Sequence, residues 1–317
     1  MKATASAGFP AAKCGGAGPE FNELVEEYKE WEKARRERIE VMIWGNDWKK
    51  HKGGHIEGEH FALSGDLREA YVDIDKKRVK MTPAQRAHLY VRRAEYSYEN
   101  HFKPFLGEKH YEPEVKWEIS MWQNTKDLLT AGNRLVGITQ DCISTYKARL
   151  ITVPDRGKDG NLHQSVIFNL ALLFIEEYNG FVEGGLPDWY WEGFAHYMEY
   201  EEFGDIENNC NDEAAGTEGL MGDQLERRTK MLVRKGRFPR LTEFADLNVA
   251  KLTPDMRLVG WSIIDWMHKE FTPRQMEIFV KTLKRTKSQS QAFRDAIGIK
   301  YSEVTEIWSE WVLENYR

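Results

Sequence analysis

The chain has 317 residues with a net charge of -6, 30% charged and 41% hydrophobic side chains, which fits a packed soluble protein of one large domain or two and excludes disorder as the main state. The acidic balance argues against a dedicated nucleic-acid binder, so the basic runs at 33–38 and 281–287 read as solvated helix faces. No apolar run of about 18 residues is present, so no membrane span is expected.

Residues 1–19 are small and Gly/Ala-rich and lack the apolar stretch of a signal peptide, so they are expected to form a disordered leader. Cys14, Cys142 and Cys210 are scattered and without C-x-x-C spacing. They make no disulfide framework, and a single bridge is left open. Phe21, Leu24, Val25, Tyr28 and Trp31 recur at helical spacing and predict a helical arm to about Trp44. His51, His55 and His60 then fall in a glycine-interrupted stretch that reads as a polar loop.

A short strand is predicted within 59–67. Thr82-Pro83-Ala84-Gln85 carries a helix N-cap, a proline for the first turn and the glutamine of a capping box. The helix is expected to run to about His101. Val115 to Met121 alternates apolar and polar residues, predicting a strand with one buried and one wet face. A short helix at Thr125–Thr130 follows, then strands at Val136–Cys142 and Ala148–Val153. From there the chain reads helical, with a second capping box at Thr272-Pro273-Arg274-Gln275 and a helix stop at Gly298.

Two stretches stand at the centre. Asp159 to about Tyr178 is a nearly all-apolar helix. After it, Leu186-Pro187-Asp188-Trp189-Tyr190-Trp191-Glu192-Gly193-Phe194-Ala195-His196-Tyr197 opens another. On that helix Glu192, Ala195, His196 and Glu199 share a face, and Gly193 permits close approach of another backbone. The Pro, Trp, Glu-Gly and Ala of this string fall in the order of a P-x-W-L-x-E-G-L-A motif. The closing pattern of Ala292, Ala296, Gly298, Ile299, Glu303, Trp308, Trp311 and Val312 is also shared. On these residues the chain, over roughly 59–317, resembles the MA-like gluzincin zinc metallopeptidases, including a group of uncharacterised bacterial proteins.

The strand candidates suggest a small, mostly antiparallel sheet of about four strands, and the resemblance implies a gluzincin-like, mainly α-helical domain after it, an α+β fold in all. The expected divisions are a leader at 1–19, a helical arm and loop at 20–58, an α+β subdomain at 59–160 and a helical subdomain at 161–317. It also implies that Glu192 is a zinc ligand, and it implies export, for which the sequence shows no signal.

The other half of such a site is not written in the chain. A gluzincin carries H-E-x-x-H on the first helix, two histidines to hold zinc and a glutamate as base. The eighteen-residue spacer of the family puts Asn169 and Leu173 at the histidine positions, with Leu170 as base. One residue earlier the positions are Phe168 and Leu172, with Asn169 as base. With His163 as the first histidine, Gln164 is the base and Ile167 the second ligand. With His163 as the second histidine, followed by Gln164 as in part of the family, Asp159 replaces the first and Gly160 the base. The residues left to bind a metal are therefore Glu192, His163, Asp159 and His196, and no catalytic residue is assigned. A general base supplies about 10² to 10⁴ in rate, so its absence weakens hydrolysis even with a metal bound.

The leading expectation is thus a catalytically inactive gluzincin-fold protein, without cofactor. Its aromatic cleft, lined by Trp189, Trp191, Tyr197 and Glu199, would take a peptide or protein partner. Two rivals stand beside it. One is a metallohydrolase with zinc on the altered ligand set. The other is a structural subunit of a larger assembly. The oligomeric state is not readable.

Overall fold

The computed structural model describes residues 54–74, 77–106, 116–136, 143–145, 150–155, 159–178, 186–206 and 224–317. Helical positions Glu30, Lys33, Ala34, Glu37 and Val41, all exposed, are described as well. The expectations for the leader, for most of the arm, for His51, for residues 137–142 and for Cys14, Cys142 and Cys210 lie outside these residues.

Two sheets form. The larger has five strands in the order β1-β2-β5-β7-β6, built from β1 (Gly54–Glu57), β2 (Phe61–Gly65), β5 (Trp117–Trp122), β6 (Ile143–Thr145) and β7 (Leu150–Pro154). The smaller is an antiparallel hairpin of β3 (Ala70–Ile74) and β4 (Lys77–Met81). Over both sheets three of the five pairings are antiparallel. The centre of the larger sheet is not: β2 pairs with β5, and β5 with β7, in parallel.

This placement corrects one expectation. β5 was expected to have a wet face, yet all six of its residues are buried. A parallel strand flanked on both sides lies inside the protein, so period-two alternation marks two kinds of interior rather than inside and outside. Phe61, Leu63, Trp117, Ile119, Met121, Ile151 and Val153 join the main apolar core. Ser64, Glu118, Ser120 and Thr152 point the other way and are also buried. Their alignment is direct, with Ser64 opposite Ser120 and Ser120 opposite Thr152.

On the apolar side lie α1 (Pro83–Ser97) and α3 (Asp159–Tyr178). α1 starts on the expected capping box, with Gln85 N donating to Thr82 Oγ1 and Gln85 Oε1 accepting from Thr82 N. Its end widens into a π turn, Tyr98–Phe102, which presents Tyr98 and Phe102 to the core. Trp117 meets Phe174 of α3 at 5.9 Å between ring centres, and Trp117 Nε1 donates to Glu177 Oε2 at 2.5 Å. Arg86 of α1 pairs with Asp155, just past β7, through two contacts of 2.7 and 3.1 Å, both side chains fully buried. α2 (Thr125–Val136) lies against β5 and β7 and is longer than expected.

The rest is helical: α4 (Asp188–Phe203), α5 (Leu225–Arg234), α6 (Leu241–Phe244), α7 (Pro254–Glu270), α8 (Pro273–Thr286), α9 (Gln289–Ile297) and α10 (Val304–Asn315). The capping box at Thr272 forms as expected, and Thr253 begins α7 with the same device. Gly298, at φ 74°, closes α9. The mixed, mainly helical α+β architecture expected from the sequence is what the chain adopts. No helix among the described residues is long and apolar enough to cross a membrane.

Candidate functional site

α3 and α4 lie side by side and run antiparallel. Phe168 of α3 packs on His196 at 5.1 Å between ring centres, and His163, a turn and a half earlier, packs on Phe203 at 4.8 Å. Rising numbers on α3 thus meet rising numbers on α4 in reverse. α4 also crosses α7. At that crossing a Cβ on Gly193 would stand 3.2 Å from the backbone carbon and oxygen of Gly260. Two glycines face each other, and the helices approach closer than side chains would allow.

This crossing decides what faces Glu192. Arg257, one turn before Gly260, donates from Nη1 to Glu192 Oε1. The same guanidinium donates from Nε to the Leu252 carbonyl (3.1 Å) and from Nη2 to the Val249 carbonyl (2.6 Å). Glu192 is 1% exposed and Arg257 3%. Burial pushes the Glu192 carboxyl up to about 7, while His196 and Arg257 pull the other way. His196 stands 4.0 Å from Glu192 through Nε2 and 3.8 Å from Glu199 through Nδ1, and neither nitrogen makes a hydrogen bond. The carboxylate that resembles a zinc ligand is thus the acceptor of a buried arginine.

Of the four expected metal residues, the structure brings together Glu192 and His196 and sets the other two apart. His163 lies against the end of α4, with Nε2 3.7 Å from Glu202 Oε1. Glu192 and Glu202 are separated by roughly 15 Å along the helix at about 1.5 Å per residue. One ion cannot span that distance. Asp159 is engaged elsewhere: Tyr90 donates its hydroxyl to Oδ1 at 2.5 Å, and Arg93 Nη1 reaches Oδ2 at 3.1 Å. Burial, with Arg93 nearby, holds the His163 imidazole down at about 3. Among the described residues no group of three or more His, Cys, Asp or Glu side chains is arranged to hold a metal ion.

The other registers of the first helix supply no pair of ligands, and Ile167 is a core residue. Phe168, Leu170, Leu172 and Leu173 are core residues, and Asn169 turns its amide back to the Ser165 carbonyl at 2.8 Å. Gln164 donates to Asp205 Oδ1 at 2.5 Å.

The expected cleft is corrected too. Trp189, Tyr197 and Glu199 are buried, and only Trp191 reaches the half-buried class. Trp189 Nε1 donates to Gln289 Oε1 at 2.9 Å, and the Tyr197 hydroxyl bonds His268 Nδ1 at 2.6 Å. Apolar bodies with one polar tip are taken into the interior when the tip finds a partner there. An open concavity lies instead at the mouth of α4. It measures about 330 Å³ and is lined by Leu186–Asp188, Ala245–Asn248, Lys287 and Gln289.

Sequence reading missed Arg257, Glu202, His101 and His268. Arg257 is the instructive case, because its only signal is Gly260 one turn later, the glycine that lets α7 come near. Comparison with family models, with curated proteins and with solved structures returns no match to the chain.

Proposed function

We propose that this chain is a gluzincin-like scaffold without a hydrolytic centre, and that it works by binding a peptide or protein partner. The observation that carries the reading is the occupancy of the Glu192 position. A zinc ligand needs open coordination space and two histidines opposite. Glu192 instead faces a guanidinium, and the neighbouring face of α3 offers Phe168. A cation already sits where a second cation would have to go, and the two would repel each other.

The partner surface that fits is the concavity at the mouth of α4. It is exposed, and its polar rim offers Asp246, Asn248 and Lys287 to a peptide backbone or charged side chain. Pockets of this size with a few placed polar groups suit short peptide segments better than a flat face does.

Metal analysis and peptide hydrolysis on the purified protein test the first half. The expected result is no stoichiometric zinc and no cleavage of a mixed fluorogenic peptide set. One equivalent of zinc, lost on Glu192→Gln, would instead establish a metallohydrolase with an altered ligand set. A peptide array tests the second half: retained peptides should be lost on Lys287→Glu with Asp246→Lys. Retention unchanged by that pair of substitutions removes the concavity from consideration.

A further inference from the structure

Apart from Glu192, a second cluster of ionisable side chains gathers where the π turn after α1 meets the start of α3 and the end of α4. Its centre is Glu202. Oε2 accepts the Ser97 hydroxyl at 2.8 Å and lies 3.4 Å from His101 Nε2. Oε1 lies 3.7 Å from His163 Nε2. The carboxylate is bracketed by two imidazoles, one on each oxygen. Both separations exceed a normal N–H···O bond, so the contacts are within ion-pair reach without being hydrogen bonds.

The π turn builds this arrangement. The extra residue it accommodates ends a helix whose preceding turns follow the ordinary pitch, and His101 is carried on that wider turn. Such turns are rare and cluster at functional positions. The two imidazoles are not equivalent. His163 is buried, and its Nε2 makes no hydrogen bond. The His101 side chain is 25% exposed, against 10% for His163 and 11% for Glu202.

We infer that this cluster is a proton-responsive latch joining the α1 end to the α3–α4 helix pair, in which protonated His101 donates to the Glu202 carboxylate. Imidazole is the side chain that ordinarily changes charge between pH 5 and 8. With both rings neutral, Glu202 has the Ser97 hydroxyl as its one hydrogen bond here. A proton on His101 converts the 3.4 Å contact to a charge-assisted bond, which closes to about 2.8 Å and draws the π turn onto α4. His163 stays neutral, because it is buried and Arg93 opposes its charge.

The surrounding charges are mixed. From α1 and its turn come Arg93, Glu99 and the Tyr96 ring, 5.8 Å from His101. Glu99 is turned to Lys103 at 3.4 Å. From α3 comes Asp159, already held by Arg93 and Tyr90. From α4 come Glu201, whose carboxyl feels His101, and Asp205, which is held by Gln164. From α7 come His268 and Lys269. Glu201 and Glu202 place negative charge on the side of α4 that His101 meets.

Amide hydrogen exchange across residues 97–106, measured from pH 5 to 8 with chelator present and corrected for intrinsic rates, tests the latch. Protection of the π turn should be at least five-fold greater at pH 5.5 than at pH 8. That difference should vanish in Glu202→Gln and in His101→Asn. It should persist in Lys103→Ala, which removes the Lys103 contacts with Glu99 and the Tyr98 ring and leaves His101 and Glu202 in place. Imidazole NMR gives a second readout that does not depend on folding margin: the His101 midpoint should fall by half a unit or more in Glu202→Gln. Equal protection at both pH values, or an unmoved His101 midpoint, overturns the inference. This test is independent of whether the chain binds zinc or peptides.

Discussion

Arg257 reaches Glu192 because Gly260 and Gly193 stand face to face one turn away. The ion pair and the glycine contact form a single device. Without the close crossing the guanidinium could not enter the α4 interior, and without the guanidinium the crossing would enclose an unpaired carboxylate.

Arg257→Met should therefore cost about 3–5 kcal/mol, because it leaves the Glu192 carboxyl buried without its partner. The double variant Arg257→Met with Glu192→Met should recover most of that loss, since two apolar side chains of similar volume need no partner. Urea unfolding of wild type, both single variants and the double variant measures the coupling. Additive effects would show that the two residues act separately.

Gly193→Ala should destabilise by about 1–3 kcal/mol, because its Cβ meets the Gly260 backbone, which has no side chain to swing aside. Gly160→Ala makes the contrast. Nothing lies within 4 Å of a Cβ there, and the residue is in the first turn of α3. Alanine at that point should be neutral or stabilise by up to about 1 kcal/mol. Thermal unfolding of the pair suffices. Equal losses would mean that close packing at Gly193 is not what sets the cost.

Two groups make stability depend on pH in opposite directions. His163 is held at about 3 in the folded chain, below the ordinary imidazole value of 6.5. Its contribution is full above 6.5 and is lost as the pH falls toward 3, because the unfolded chain takes up the proton first. Glu192 is raised from 4.5 to about 7. Its contribution is full below 4.5 and is lost as the pH rises through about 7. Denaturant midpoints from pH 4 to 8 should thus fall less on the acid side in His163→Phe and less on the alkaline side in Glu192→Gln. Curves parallel to wild type would contradict both assignments.

Thr152 is fully buried on the polar side of β7, and its hydroxyl makes no hydrogen bond. Thr152→Val removes that hydroxyl at similar shape and should stabilise by about 1 kcal/mol. A loss of stability on urea unfolding would reveal that the hydroxyl is satisfied within the folded chain.

The sequence made the helices legible because their signals are local. Thr82 with Gln85, Thr272 with Gln275 and Gly298 each act within a few residues, and each forms as its chemistry requires. The sheet was less legible. Strand β5 alternates whether its second face meets water or interior, so Glu118 and Ser120 pointed outward on paper and lie inside in fact. β1 and the β3–β4 hairpin were missed, since Gly54 and the charged run Lys77 to Lys80 dilute any strand pattern. At the candidate site the motif around Glu192 was plain, while its partner was not. An ion pair between Glu192 and Arg257 depends on a helix crossing, and no window of sequence contains both halves. The same holds for His101 and Glu202.

The parallel centre of the sheet also bears on how the chain reaches this state. Phe61 must find Trp117 across the whole of α1, and Glu118 must find Leu150 across α2. Such pairings close long loops before they return any contact energy, and they slow folding. The packing of α8 with α9, by contrast, joins neighbours in the chain. The C-terminal helices are therefore expected to condense first, leaving β2, β5 and β7 as exposed edges until late. On that order the early-folding half would be the template, and the sheet the last part of the protein to become resistant to aggregation.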